Sequence, residues 1–559
     1  MGRWRTILSA AGCAGVVAGL AGQAGPTSGA PPHYVVAEAT IEPLARPMAG
    51  GNTVLRVRFS KGTRPPARIP YAIEGGTVVL ADDGTGVDAR AGDGVYTALG
   101  SLDLVAFRDR LVRLSRSQTA MPLRTYRTRA KVETAARLDP SQFTAGRQFQ
   151  YEPWGDPAAI SPSRSLLVRH LNVVEDATRT RASCGQASMG VWSFGYLMEQ
   201  MANTPVTGVT AAQFTRQWLD TWMTDQVVNG WTVKKRTLMQ EKILDGWIAA
   251  SGGPGLPLDL SRAPFKLLAI VNRIDLRHQG AYGGSSGGEL RFVFEVVPED
   301  TCLPGRAFQV ILEFGVPASG CVHQHAYAQQ WKNLDTLLLG SPAYNAALEA
   351  ITQQVVVAGA GMGKANGSAL NQLRVNSNLL DDTGDGLDWE LRQFVIDPVS
   401  HLLKMSTISQ TPDKTLRGSG RVAQYVNANE AAVLADDYVV PLAYPSTQKF
   451  RAGGFYAYGS AWPVTGITSP DARHRFALNT CDGCHTKETD TVFSHVKRAP
   501  FGATAQLSGF MTGIWASDGE HLTPDHYFDD LERRALDLET FLGASCFTAP
   551  LDLPLFASH

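Results

Sequence analysis

LRFVFEVV at residues 290–297 and FQVILEF at residues 308–314 alternate at period two and are joined by a short loop. Successive side chains on a strand point to opposite faces, so this spacing predicts an antiparallel pair. PFKLLAIV at 264–271 reads as a further strand. Residues 188–201, 211–227 and 336–359 carry helical patterns, the last broken at Gly340–Pro342. Residues 166–445 are therefore expected to form an α+β domain.

The chain has 559 residues, too many for one ordinary core, so two to four domains are expected. Its composition is that of a globular protein, and the formal net charge of −1 gives it no pull towards nucleic acid or an anionic membrane. Arg3 and Arg5 precede an uncharged apolar run from Ile7 to Leu20, with small residues after it. This pattern predicts a secretory signal peptide within residues 1–30, cleaved between Ala21 and Ala30. The run is too short for a comfortable membrane span, and no later segment reaches transmembrane length. The mature protein is expected to be periplasmic or secreted, with no transmembrane segment.

Export makes the cysteines readable. Beyond Cys13 there are six, at 184, 302, 321, 481, 484 and 546, an even number suited to an oxidising compartment. Cys302 and Cys321 bracket the strand at 308–314 and are expected to pair, leaving Cys184 for Cys546.

Residues 33–125 read as short strands separated by turn signals, which predicts a small β-sandwich. Within them, DDGTGVDARAGDGVYT (82–97) threads Asp82, Asp83, Asp88 and Asp93 through glycines. Hard oxygen ligands on such a loop suit calcium, and Asp and Gly are equally the ordinary residues of a hairpin turn. The stretch is similar to a turn in immunoglobulin-like modules of bacterial surface proteins, which implies a spacer or binding module. Residues 126–165 read as a polar, proline-punctuated linker.

Three motif matches in the middle lack their context. GGSSG (283–287) runs into a strand, whereas a nucleophile elbow leads into a helix. AGAGMGK (358–364) is followed by Ala365 where a phosphate loop needs Ser or Thr. DDTGDGLD (381–388) starts like a calcium loop but meets Arg392 at the twelfth position. His323 and His325 would point to different faces of one helix.

The densest chemistry lies in LNTCDGCHTKETDTVFSHV (478–496). Ser469, Pro470 and Asp471 are the capping signals of a helix expected to run into Cys481-x-x-Cys484-His485. On one turn the two sulfurs share a face with His485 beside them. A second helix is expected from Thr523 to Leu542, with an apolar stripe of Phe528, Leu531, Ala535, Leu538 and Leu542.

This arrangement resembles a class I c-type cytochrome over residues 446–559. The resemblance implies an all-α C-terminal domain with one covalent haem c on Cys481 and Cys484, and His485 as iron ligand. Met511 is the implied sixth ligand, with His495 as the alternative and His521 and His526 behind it. His474 is expected on the helix surface.

The expected architecture is thus multidomain: an N-terminal β-sandwich, a central α+β domain and a C-terminal all-α cytochrome c-like domain. The expected function is single-electron transfer to a redox partner protein or a small-molecule donor or acceptor. The alternatives are a secreted or cell-surface binding protein with a structural CxxC disulfide, or a metal-binding hydrolase. In the binding protein Trp192, Trp218, Trp222, Trp231 and Trp247 would contact a glycan or protein. Zinc on Cys481, Cys484, His521 and His526 is a further reading of the same cysteines.

Overall fold

The computed structural model describes residues 36–48, 51–59, 66–73, 76–88, 91–92, 94–100, 160–277, 287–361, 363–380, 389–457, 462–463, 465–523 and 525–543. The leader, the linker up to residue 159, GGSS, DDTGDGLD, Asp93 and Cys546 lie outside them.

The first five strands are β1 (Val36–Met48), β2 (Gly51–Phe59), β3 (Arg68–Ile73), β4 (Gly76–Ala81) and β5 (Val95–Gly100). They join in one antiparallel sheet of order β1-β2-β5-β4-β3. The expected sandwich is corrected to this: every described strand is bonded edge to edge into the same layer, which leaves none for a facing sheet.

The central strands are β6 (Leu167–Val168), β9 (Phe265–Arg273), β10 (Glu289–Val296), β11 (Phe308–Gly315), β12 (Leu370–Ser377), β13 (Trp389–Ile396) and β14 (Leu403–Ser406), with β15 (Phe455–Ala457) also on β13. The remaining strands form two small hairpins, β7 (Gln226–Val228) with β8 (Trp231–Val233) and β16 (Ile514–Ala516) with β17 (His526–Phe528). The pair expected at 290–314 is β10–β11, antiparallel with Phe292 opposite Leu312.

The period-two alternation gives the large sheet two unlike faces. Phe292, Phe294, Val310, Leu312 and Leu373 share one, and helices cover it. Phe194 of the helix Phe194–Ala202 packs on Phe294, and Trp218 of the helix Ala211–Asp220 packs on Phe394. Thr210 opens the second helix with a capping box through Gln213. Trp192, Trp218, Trp222 and Trp247 are fully buried in this core. Burying four indoles is a large apolar contribution, about 1.5–3 kcal/mol for each large side chain, and it removes them as an exposed binding platform. Trp231 lies outside it, under Lys449.

The opposite face is polar, and the C-terminal segment covers it. Lys266 donates to the carbonyls of Pro500 and Ala503, Gln309 to that of Val496, and Asn376 to that of Phe493. The expected all-α cytochrome-like domain is therefore corrected. Residues 446–559 contribute β15 to the central sheet and carry the β16–β17 hairpin. Their helices are mostly short, and Cys484, Val496, Met511, Leu531 and Leu538 share one core with the sheet. Such pieces bury their apolar faces only by borrowing the sheet, so the architecture is mixed α/β around a large antiparallel sheet. The terminal helix starts at Asp530, and His526 lies in β17 ahead of it.

Cys184 pairs with Cys302, with Cα atoms 5.6 Å apart, which corrects the expected Cys302–Cys321 bridge. Cys302 and Cys321 lie beyond opposite ends of the eight-residue β11. At about 3.3 Å per residue that strand holds its ends far beyond disulfide reach. Cys321 is disulfide-bonded elsewhere.

Candidate functional site

Ser469 accepts the amide of Ala472 and opens the helix Pro470–Leu478. The helix does not continue into the motif. Thr480 is extended and starts a separate turn, Cys481–Cys484, by accepting the Gly483 amide and donating to the Ala477 carbonyl at 2.6 Å. A Cβ on Gly483 would lie 1.8 Å from the Ala477 oxygen, so only glycine admits this fold-back.

The two cysteines are buried and not bridged to each other. Cys481 belongs to a cluster with Trp389, Leu391 and Phe455, and Thr411 Oγ1 lies 3.3 Å from its sulfur. Burial pushes its thiol up to about 11, so it stays protonated at neutral pH. Cys484 Sγ lies 3.3 Å from His495 Nε2, whose Nδ1 meets Ser508 Oγ at 2.9 Å.

His485 sits between these groups, 5.1 Å from the Trp389 ring and 4.6 Å from His495. Its Nδ1 is 2.7 Å from the Phe493 carbonyl, which only accepts, so Nδ1 carries the proton and Nε2 the lone pair. Burial holds the ring's pKa down at about 4. A neutral imidazole with its tautomer fixed by a backbone carbonyl is the usual state of a metal-ligating histidine.

Cys481, His485, His495 and Met511 all face one cavity of about 80 Å³ between the motif and the sheet. The sheet supplies its floor from alternate strand positions, including Arg273 on β9, Arg291 and Val293 on β10, Ile311 and Glu313 on β11, and Arg374 on β12. These charged residues were missed in the sequence. Their signal was Arg and Glu placed within strands of otherwise largely apolar sequence.

Ion pairs link the floor. Arg291 holds Glu289 at 2.6 Å and Glu313 at 3.5 Å, and Arg374 holds Glu313 at 3.5 Å. Arg273 pairs with Asp275 at 2.9 Å, which Arg533 also reaches at 3.0 Å. Asp530 joins Arg533 and Arg534. Burial alone would raise Glu313, but Arg291 and Arg374 outweigh it and hold its carboxyl below the usual range. These pairs form two groups among the described residues: two guanidiniums with two carboxylates, and three guanidiniums with two carboxylates.

Other expected site residues fall elsewhere. His474 is 1 % exposed, which corrects its surface placement. It meets Glu488 at 2.5 Å and stacks on His526 with centroids 4.0 Å apart. Arg473 binds Glu488 and Asp518, so this buried cluster ties the motif helix to the β16–β17 hairpin. His521 is exposed, and the zinc set of two cysteines with His521 and His526 is not assembled. Among the described residues no three His, Cys, Asp or Glu side chains are grouped to hold a metal ion.

In the N-terminal sheet Asp82 accepts from the Gly92 and Gly94 amides, Asp88 from Gly84, and Asp83 from Thr85. These carboxylates brace the turn. His323 bonds the Ser319 carbonyl and His325 that of Leu542, on different sides of their helix. Lys364 is spent on the carbonyls of Ala369 and Leu370, not on a phosphate loop.

The donor set suits a covalent haem in part: Cys481, a neutral imidazole with Nε2 as acceptor, and Met511 and His495 line the cavity, whereas Cys484 packs in the sheet core against His495 and does not line it. The space is smaller. A cofactor pocket is about 300–1,000 Å³, whereas this cavity holds a few waters. No family model, curated protein or solved structure matches the chain.

Proposed function

We propose that this chain is an exported mono-haem c-type protein that carries single electrons, with haem on Cys481 and Cys484 and His485 as iron ligand. The observation that supports it most is the Phe493 carbonyl on His485 Nδ1, which turns Nε2 into a ligand atom. A haem bound there would supply a one-electron iron couple. The chain's own part is to keep His485 neutral, exclude water from both sulfurs and offer Met511 or His495 on the cavity wall. The Cys184–Cys302 disulfide agrees with export into an oxidising compartment. Its counterpart would be a redox protein or a small electron donor or acceptor.

The cavity's size bears on how the group is loaded. With His485 against Trp389 and residues 493–511 closed on the sheet, attachment has to precede that closure. The same tight packing favours a second reading, in which Cys481 and Cys484 are structural thiols of a cofactor-free secreted binding protein.

Mass spectrometry of the mature chain, made by export alongside haem-maturation machinery, decides between them. A tetrapyrrole added to the peptide holding Cys481 and Cys484, with a Soret band lost in Cys481→Ala, is expected. An unmodified peptide ends the electron-transfer reading and leaves the second.

A further inference from the structure

Among the described residues the cavity wall carries four guanidiniums, from Arg273, Arg291, Arg374 and Arg534, and one carboxylate, from Glu313. We propose that this cavity binds a small monovalent oxyanion or carboxylate, of the size of nitrate or formate. Its cations belong to the sheet and the terminal helix, so the site is present in the haem-free chain, and a haem bound as proposed above would fill the same space.

Size sets the upper limit. One water needs about 10–15 Å³ of such space, so 80 Å³ admits an anion of a few heavy atoms. Val271, Val293 and Ile311 line the same space, which favours an anion that sheds its hydration shell.

Charge sets the sign. Arginine stays protonated in proteins, and its planar fork matches the two oxygens of a carboxylate or nitrate. Glu313 lies between Arg291 and Arg374, so the carboxylate on the wall is already shared by two cations. Burial first, and then the neighbouring Arg273, pull Arg534 down to about 9, against the opposing pull of Asp530 and Asp275. Buried charge is costly unless compensated.

Thermal unfolding of the full mature chain tests this, with sodium formate or sodium nitrate titrated against sodium chloride at constant ionic strength. The expected result is a saturable rise in Tm with formate or nitrate beyond that with chloride. Val293→Phe, which fills the cavity without changing charge, should abolish the rise. Arg216→Gln, at an exposed pair, should leave it intact. The titration is repeated on Cys481→Ala, in which two-thiol haem attachment cannot occur, so a haem filling the space is told apart from a missing site. A saturable response in either chain that Val293→Phe removes supports the proposal. No saturable response in both chains, or one that survives Val293→Phe, overturns it.

Discussion

His485 donates its Nδ1 proton to the carbonyl of Phe493 across 2.7 Å, and the loop between them thereby sets which ring nitrogen is basic. In haem-loaded protein, His485→Ala should keep the covalent adduct, since both thiols remain, but lose its six-coordinate low-spin spectrum. Met511→Ala should abolish any methionine–iron absorbance band while His495→Ala preserves it. The reverse pattern in visible and near-infrared spectra would make His495 the ligand.

Gly483→Ala would place a methyl group 1.8 Å from the Ala477 oxygen. Neither atom belongs to a flexible side chain, so the backbone must shift. Destabilisation of roughly 3 kcal/mol or more is expected, read as a lower urea midpoint. A midpoint equal to that of the native chain would show that the fold-back at Thr480 has slack.

The Cys184–Cys302 bridge spans 118 residues. Cys184→Ser should cost about 2–5 kcal/mol. A non-reducing digest should yield the 184–302 linked peptide and no 302–321 link. Detection of the latter would mean that the loop before β11 is built differently.

The strands were legible because their alternation is local: LRFVFEVV and FQVILEF show their apolar faces within eight residues. The helix Pro342–Val356 was legible as part of the helical pattern over 336–359, beyond its break at Gly340–Pro342. What covers the other face was not. Asn376 meets Phe493 and Arg277 meets Asp537, contacts separated by 117 and 260 positions that no window of sequence contains. The same blindness explains the disulfide, where nearness along the chain stood in for nearness in space across an extended strand. At the motif, the capping signals at Ser469, Pro470 and Asp471 suggested one helix running into Cys481-x-x-Cys484. The break is made by Thr480 and Gly483, whose roles depend on the Ala477 carbonyl. The site was thus half visible: its thiols and imidazole were in view, and its arginine floor was hidden in strands that read as ordinary core.

Glu488 is fully buried between Arg473 and His474. Glu488→Gln leaves Arg473 with Asp518 and takes away the carboxylate shared with His474. Removing one partner of a buried pair costs about 3–5 kcal/mol, and the loss should appear in urea melts at neutral pH. A loss below about 1 kcal/mol would mean that the cluster does not hold the motif helix to the hairpin.

His526 stacks on His474 in that same cluster and is pushed down to about 2, chiefly by burial and then by the charge of His474. Its folded pKa lies below the unfolded value of about 6.5, so below pH 6.5 the unfolded chain takes up a proton that the folded chain refuses. Stability from this residue is complete above that pH and is lost steadily as the solution is acidified. Each pH unit in the window is worth about 1.4 kcal/mol, so roughly 2–3 kcal/mol should disappear between pH 6.5 and 4.5. His526→Gln keeps a polar partner for Thr523 Oγ1 but cannot titrate, and its unfolding free energy should fall less steeply over that interval. Parallel slopes for the two proteins would place the acid sensitivity elsewhere and remove His526 as its source.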